Sequence, residues 1–123
     1  MQSTVQLSAH YNHQHTVNEL QNTDLEWTAF YNGYFMDYYA MPYVDTHLIP
    51  LPFVVDVPNK RAAIPGTGNE PVAFTYTKDL AQFVVAALDM PKWERATYVY
   101  GDKMTWHEFV ELAEEVTGKC YLL

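Results

Sequence analysis

The chain has a single cysteine, Cys120, so no disulfide can form within it and stability has to come from packing. Cationic side chains are scarce too. Lys and Arg number 7 against 15 Asp and Glu, for a formal charge of −8, and only Lys60 and Arg61 are adjacent. Nucleic acid and anionic membrane surfaces both demand clustered Lys and Arg, so neither is expected as a partner. Long apolar runs are missing: stretches such as Phe83–Leu88 fall far short of the roughly 20 residues that cross a bilayer. Met1-Gln2-Ser3-Thr4 opens neither the basic nor the apolar region of a secretory leader. One cysteine and no leader together predict a reducing, cytoplasmic setting. The glycines, five in all, nowhere take the spacing G-x-G-x-x-G.

What remains is globular in character, 49% hydrophobic and 15% aromatic with ten Tyr, which argues against disorder. A length of 123 residues fits one domain or a piece of a larger one. Residues 1–12 are polar and nearly patternless and are expected to be poorly ordered. Residues 13–119 form the patterned body, and 120–123 a tail.

Along that body, Val17 and Leu20 stand three apart in a weakly helical segment that Asn22, Thr23 and Asp24 end. Leu25 to Tyr31 alternates Leu25, Trp27 and Ala29 against Glu26, Thr28 and Phe30, which predicts a strand. Asn32-Gly33 reads as a turn into the aromatic segment Tyr34–Tyr39. Pro42, Pro50, Pro52 and Pro58 allow only short regular structure after it. Further strands are expected at 60–64, 72–76 and 97–100. Leu80, Phe83, Val84, Ala87 and Leu88 mark a helix with Thr77 as its N-cap and Pro91 as its stop. Thr105 and Glu108 form a capping box before the stripe Phe109, Leu112, Ala113 and Val116, and Gly118 ends that helix. Helices and strands in alternation predict an α/β class with a parallel component, and the sheet is incomplete because the chain supplies few strands.

The run Leu25–Tyr38, the block Pro65-Gly66-Thr67-Gly68-Asn69 followed by Phe74–Ala81, and the capped helix ending Glu114–Lys119 appear in one order and spacing. Over residues 11–119 they resemble the C-terminal part of NmrA-like and isoflavone-reductase-like proteins, atypical short-chain dehydrogenases/reductases. The resemblance implies the C-terminal portion of a Rossmann-type fold that binds NADP or NAD, with a small substrate region for a small, often aromatic, substrate. It also implies a missing N-terminal half, because the glycine loop that lets a pyrophosphate approach a helix N-terminus is not here: Gly66-Thr67-Gly68 leads into Asn69-Glu70-Pro71.

The same resemblance sets the site expectations. Short-chain dehydrogenases use Tyr-x-x-x-Lys, and the corresponding stretch is Tyr11-Asn12-His13-Gln14-His15, with His13 or His15 where the lysine would fall. An imidazole can pass protons but holds no permanent charge at pH 7, so Tyr11 with His13 or His15 is a degenerate acid–base set or a surface remnant. Asn32, Gly33, Tyr34 and Phe35 are expected to border the nicotinamide, and Tyr38, Phe74 and Tyr76 the substrate. The surrounding aromatics can equally be core. His10, His13 and His15 suggest a metal, but three positions spaced i, i+3 and i+5 cannot share one helix face, so no metal is expected. Two functions follow: the substrate-binding portion of an NAD(P)-dependent oxidoreductase, inactive alone, or a non-catalytic, dinucleotide-responsive fragment that binds a protein partner.

Overall fold

The structure, a computed structural model, describes residues 3–123, with side chains from Tyr11 onward. It is a mixed α/β chain that divides into two compact units, one holding the residues up to Tyr31 together with Met90–Thr97, the other Asn32–Asp89 and Tyr98–Leu123.

The first unit opens with helix α1, Ser3–Gln21, which begins well before the weak pattern at Val17. Over its residues 11–21, Val17 and Leu20 are the half-buried positions among otherwise exposed side chains. The expected break holds: the Thr23 hydroxyl and backbone N–H both donate to the Leu20 carbonyl and close the last turn. Only Ala29–Tyr31 of the expected strand forms, as β1, paired with β6, Ala96–Tyr98. The ladder is short because β6 has three residues, and Leu25 is left exposed. Trp27 is the buried anchor, with the Arg95 guanidinium 4.6 Å above its ring. Thr28 and Thr97 join by their hydroxyls at 2.7 Å.

The second unit is built on a three-stranded sheet in the order β2-β5-β7, where β2 is Tyr34–Phe35, β5 Pro71–Thr75 and β7 Asp102–Thr105. β2 runs parallel to β5, with Tyr34 opposite Phe74, and β7 runs antiparallel to it, with Thr105 opposite Pro71. The expected parallel component is thus present but small. β7 has no hydrophobic alternation, and its strand state comes from pairing with β5. Between β2 and β5 lie the one-turn helix α2, Asp37–Ala40, and the hairpin β3, Val55–Asp56, with β4, Arg61–Ala62. Leu122 lies beside β4 and accepts the Ala62 N–H at 2.8 Å, which ties down the C-terminal end.

Helix α4, Trp106–Thr117, forms as its sequence predicts: Thr105 and Glu108 make a complete capping box and Gly118 ends it at φ 65°. Trp106 and Val110 drive it onto Phe74, Val55 and Tyr121, and these five make the core. The rings of Phe74 and Phe109 stack at 5.2 Å, with Trp106 edge-on to both. Helix α3, Thr77–Ala87, differs from expectation in two ways. Its N-cap is Tyr76, not Thr77, and no side chain of the cap bonds the helix. Of its apolar stripe only Ala87 is buried, while Leu88 is 65% exposed. No described helix is long and apolar enough to cross a membrane.

Candidate functional site

In the second unit the turn at Asn32-Gly33 sets the geometry of β2. Gly33 has φ +67°, and a Cβ there would stand 2.1 Å from the Ala73 carbonyl oxygen. The glycine therefore serves the close approach of this turn to β5. Thr75, fully buried, donates its hydroxyl to the Asn32 carbonyl at 2.7 Å, and the Asn32 amide donates to the Gly33 carbonyl. Tyr34 turns inward, edge-on to Trp106 at 5.1 Å, whereas Phe35 turns toward Tyr38.

Two residues after Phe35 sits a carboxylate that the sequence did not flag. Asp37 has no solvent exposure and accepts from the Thr46 hydroxyl at 2.6 Å, the Thr77 N–H at 3.0 Å and the Thr77 hydroxyl at 2.5 Å. Burial pushes its pKa up, but the hydrogen bonds from Thr46 and Thr77 outweigh it, and the net shift is below the ordinary value. The carboxylate thus stays ionised and takes over the N-terminal capping of α3 from outside the helix. The same loop is fastened again where the Tyr76 hydroxyl donates to the Asp45 carbonyl at 2.8 Å and Lys78 pairs with the Asp45 carboxylate.

These anchors hold the proline-rich stretch 41–52 so that, with the β3–β4 hairpin, it encloses an open groove of about 350 Å³. Tyr38, Met41, Pro42, Pro52 and Val57 are among its walls, and Asp56 is the one lining side chain with a carboxylate. The Tyr38 ring is fixed edge-on against Phe53 at 4.9 Å. The volume lies at the lower end of the usual range for small-molecule sites, roughly 300–1,000 Å³.

The expected substrate residues therefore separate. Tyr38 lines the groove; Phe74 is the centre of the core at 1% exposure; Tyr76 braces the loop through Asp45. Tyr39 is half-buried, its buried hydroxyl has no hydrogen-bond partner among the described residues, and burial, with the neighbouring Tyr34 and Tyr38, pushes its pKa far up. It stays protonated, so it does not act as a base.

Tyr11, His13 and His15 all belong to the first unit, on α1. Tyr11 and His15, one turn apart, share a face with ring centres 6.2 Å apart, and both are exposed. His13 points away from them and meets the Tyr31 hydroxyl at 3.3 Å. The His10 side chain lies outside the described residues, among which no group of three or more His, Cys, Asp or Glu could hold a metal.

The described residues do not fit the pyrophosphate of a dinucleotide. None of the glycines stands at a helix N-terminus: Gly33, Gly66, Gly68 and Gly101 lie in turns and Gly118 ends α4. Gly68 is buried against His107 and Ile64, where a Cβ would come within 2.6 Å of the imidazole. The described residues therefore offer no cradle for a pyrophosphate, whose binding needs open backbone N–H groups at such a terminus.

Comparison with known proteins returns oxidoreductases. The chain is 41% identical over 103 residues to oxidoreductase BOA1 of Botryotinia fuckeliana, covering 84% of this chain and 34% of that protein. It is 33% identical over 95 residues to oxidoreductase swnR of Metarhizium robertsii, covering 74% of this chain and 31% of that one. With oxidoreductase swnN of the same organism the identity is 29% over 103 residues, covering 80% and 30%. The chain thus spans about a third of the length of the curated relatives it matches. No family model matches it, and no solved structure does.

Proposed function

We propose that this chain is the substrate-side part of a larger NAD(P)-dependent oxidoreductase of the NmrA-like type, and that it has no activity alone. The observation that carries the reading is its likeness, over most of its own length, to one third of proteins named oxidoreductases. Two features of the second unit support the substrate-side role. The anchored stretch 41–52 frames a groove of about 350 Å³, and Tyr38 presents an aromatic wall to it. The lack of any glycine at a helix N-terminus supports the assignment of the pyrophosphate to the part of the relatives that this chain does not span.

In this reading the Asn32–Phe35 segment borders the nicotinamide and the groove takes a small substrate; Tyr11 with His13 or His15, on α1 of the first unit, is a separate, degenerate acid–base set. One observation favours the rival, a dinucleotide-responsive fragment that binds protein: the imidazole of His13 or His15, where the resemblance calls for a lysine, cannot supply a lysine's fixed charge.

The test is a chimera in which this chain replaces the matching stretch of BOA1, titrated with NADPH and followed by nicotinamide fluorescence. Saturable binding by the chimera, and none by the 123-residue chain alone, is the expected result. A folded chimera that leaves NADPH unbound would overturn the proposal, as would saturable binding by the isolated chain.

A further inference from the structure

The groove has a chemical character that its place in a larger enzyme does not dictate. Its walls are apolar, with the ring of Tyr38, the thioether of Met41 and the faces of Pro42, Pro50 and Pro52 among them. At the hairpin end Asp56 joins the lining, and both of its carboxylate oxygens are held by the neutral Asn59: the backbone N–H at 3.2 Å and the amide at 2.9 Å. No Lys, Arg or His belongs to the lining, and Arg61, opposite Asp56 across the hairpin, makes no ion pair with it. The negative charge of Asp56 is therefore oriented but not neutralised.

A second observation marks the same wall as constrained. Val54, which precedes β3, has φ 56°, and the Val55 N–H donates to the Phe53 carbonyl across it in a three-residue turn. A β-branched side chain in this left-handed region is unfavourable and persists only where surrounding packing over-determines it. Val55 supplies that packing at 2% exposure in the core. The turn thereby aims the next residues, Asp56 and Val57, into the groove instead of letting the strand run straight.

We propose that the groove binds a predominantly apolar molecule that is uncharged or carries a positively charged amine, and that it rejects carboxylates and phosphates. Apolar walls supply the affinity by removing hydrocarbon from water. An ammonium or hydroxyl group donates to the remaining lone pairs of Asp56. An anion meets like charge and finds no cation to pair with as it is desolvated. The inference rests on the reading above only in taking the groove as the place of the substrate.

Three probes of one size decide it: 1-naphthylmethylamine, 1-naphthylmethanol and 1-naphthoate, each titrated into the isotopically labelled 123-residue chain without cofactor. Backbone and side-chain amide signals of residues 55–59 are followed by NMR. The amine and the alcohol should shift these signals saturably, and the naphthoate should bind at least about tenfold more weakly. Asp56→Asn should remove the advantage of the amine over the alcohol and leave alcohol binding in place. Pro50→Lys, at an exposed rim position, should raise naphthoate affinity. Naphthoate binding as tight as the amine would overturn the charge preference, and saturable shifts from none of the probes would overturn the groove as a site. These failures are distinguishable from failure of the oxidoreductase reading, which is decided by NADPH and the chimera.

Discussion

Asp37 and Thr77, forty positions apart, share two hydrogen bonds, from the Thr77 N–H at 3.0 Å and from its hydroxyl at 2.5 Å. This contact joins the turn after β2 to the start of α3, and with Thr46 it fixes one end of the loop that frames the groove. A buried carboxylate with three donors is stabilising only while it is ionised, because the protonated form would leave donors facing a donor.

The acid response follows from the direction of the Asp37 shift. Its folded pKa lies below the ordinary 3.8, so the unfolded chain binds the proton more tightly. The contribution is complete above the unfolded value and is lost as pH falls through the lower, folded one. Asp37→Asn is expected to cost about 1–3 kcal/mol at neutral pH, since the amide turns an N–H₂ toward the Thr donors. The gap between the variant and the parent should narrow as pH falls below the ordinary value. Denaturant melts from pH 7 down to pH 3 measure both quantities. A gap that stays constant with pH would refute this role for the carboxylate.

Two glycines with nearly the same φ are expected to respond very differently to alanine. Gly33 at +67° has the Ala73 carbonyl 2.1 Å from where a Cβ would stand, while Gly118 at +65° has nothing within 4 Å. Gly118→Ala should cost about 1 kcal/mol, the left-handed penalty alone. Gly33→Ala should cost more than about 2 kcal/mol, since β2 and β5 would have to separate as well. Thermal melts of the two variants make the comparison, and equal losses would mean that the close approach carries no energetic weight.

Loss of the capping hydroxyl in Thr105→Ala should remove about 1 kcal/mol, because the Glu108 N–H loses its acceptor and the box opens. Thr77→Ala gives a useful contrast. Its hydroxyl serves Asp37 and not its own helix, so this change should narrow the acid response described above, whereas Thr105→Ala should leave that response unchanged. Circular dichroism melts across pH separate the two.

Legibility in the sequence tracked how local each interaction is. Helix α4 could be read because its start, stripe and stop all lie within fourteen residues, from Thr105 to Gly118. The break after α1 was legible for the same reason. Strand β7 was not, since Asp102–Thr105 has no pattern of its own and exists through its register with Pro71–Phe74. The N-cap of α3 was misplaced at Thr77 because a Thr before an apolar stripe is a normal cap signal, and the true partner, Asp37, is remote. Asp37 itself carried a faint clue, a lone carboxylate inside the aromatic run Tyr34–Tyr39. The groove was hidden in the prolines of 40–59, which the sequence marks only as irregular; what closes them into a wall is the fastening of Asp45 and Thr46 by Tyr76, Lys78 and Asp37.

The three aromatic residues that resemblance assigned to a substrate divide by burial, and mutation should divide them in the same way. Phe74 is 1% exposed and touches Tyr34, Tyr39, Trp106 and Phe109, so Phe74→Ala should cost about 3–5 kcal/mol and leave little folded protein. Phe74→Leu, which keeps much of the volume, should lower the melting temperature yet preserve binding of 1-naphthylmethanol. Tyr38 is half-buried with one face on the groove, so Tyr38→Ala should be tolerated far better and should weaken that binding. Tyr76→Phe removes the bond to the Asp45 carbonyl and the hydroxyl's interaction with Lys78, and should shift the amides of the 41–52 loop with little change in melting temperature. Melting temperatures and probe titrations on Phe74→Leu, Tyr38→Ala and Tyr76→Phe would assign Phe74 to the core, Tyr38 to the groove and Tyr76 to the loop. A Phe74→Leu variant that keeps its stability but no longer binds the probe would reverse the first two assignments.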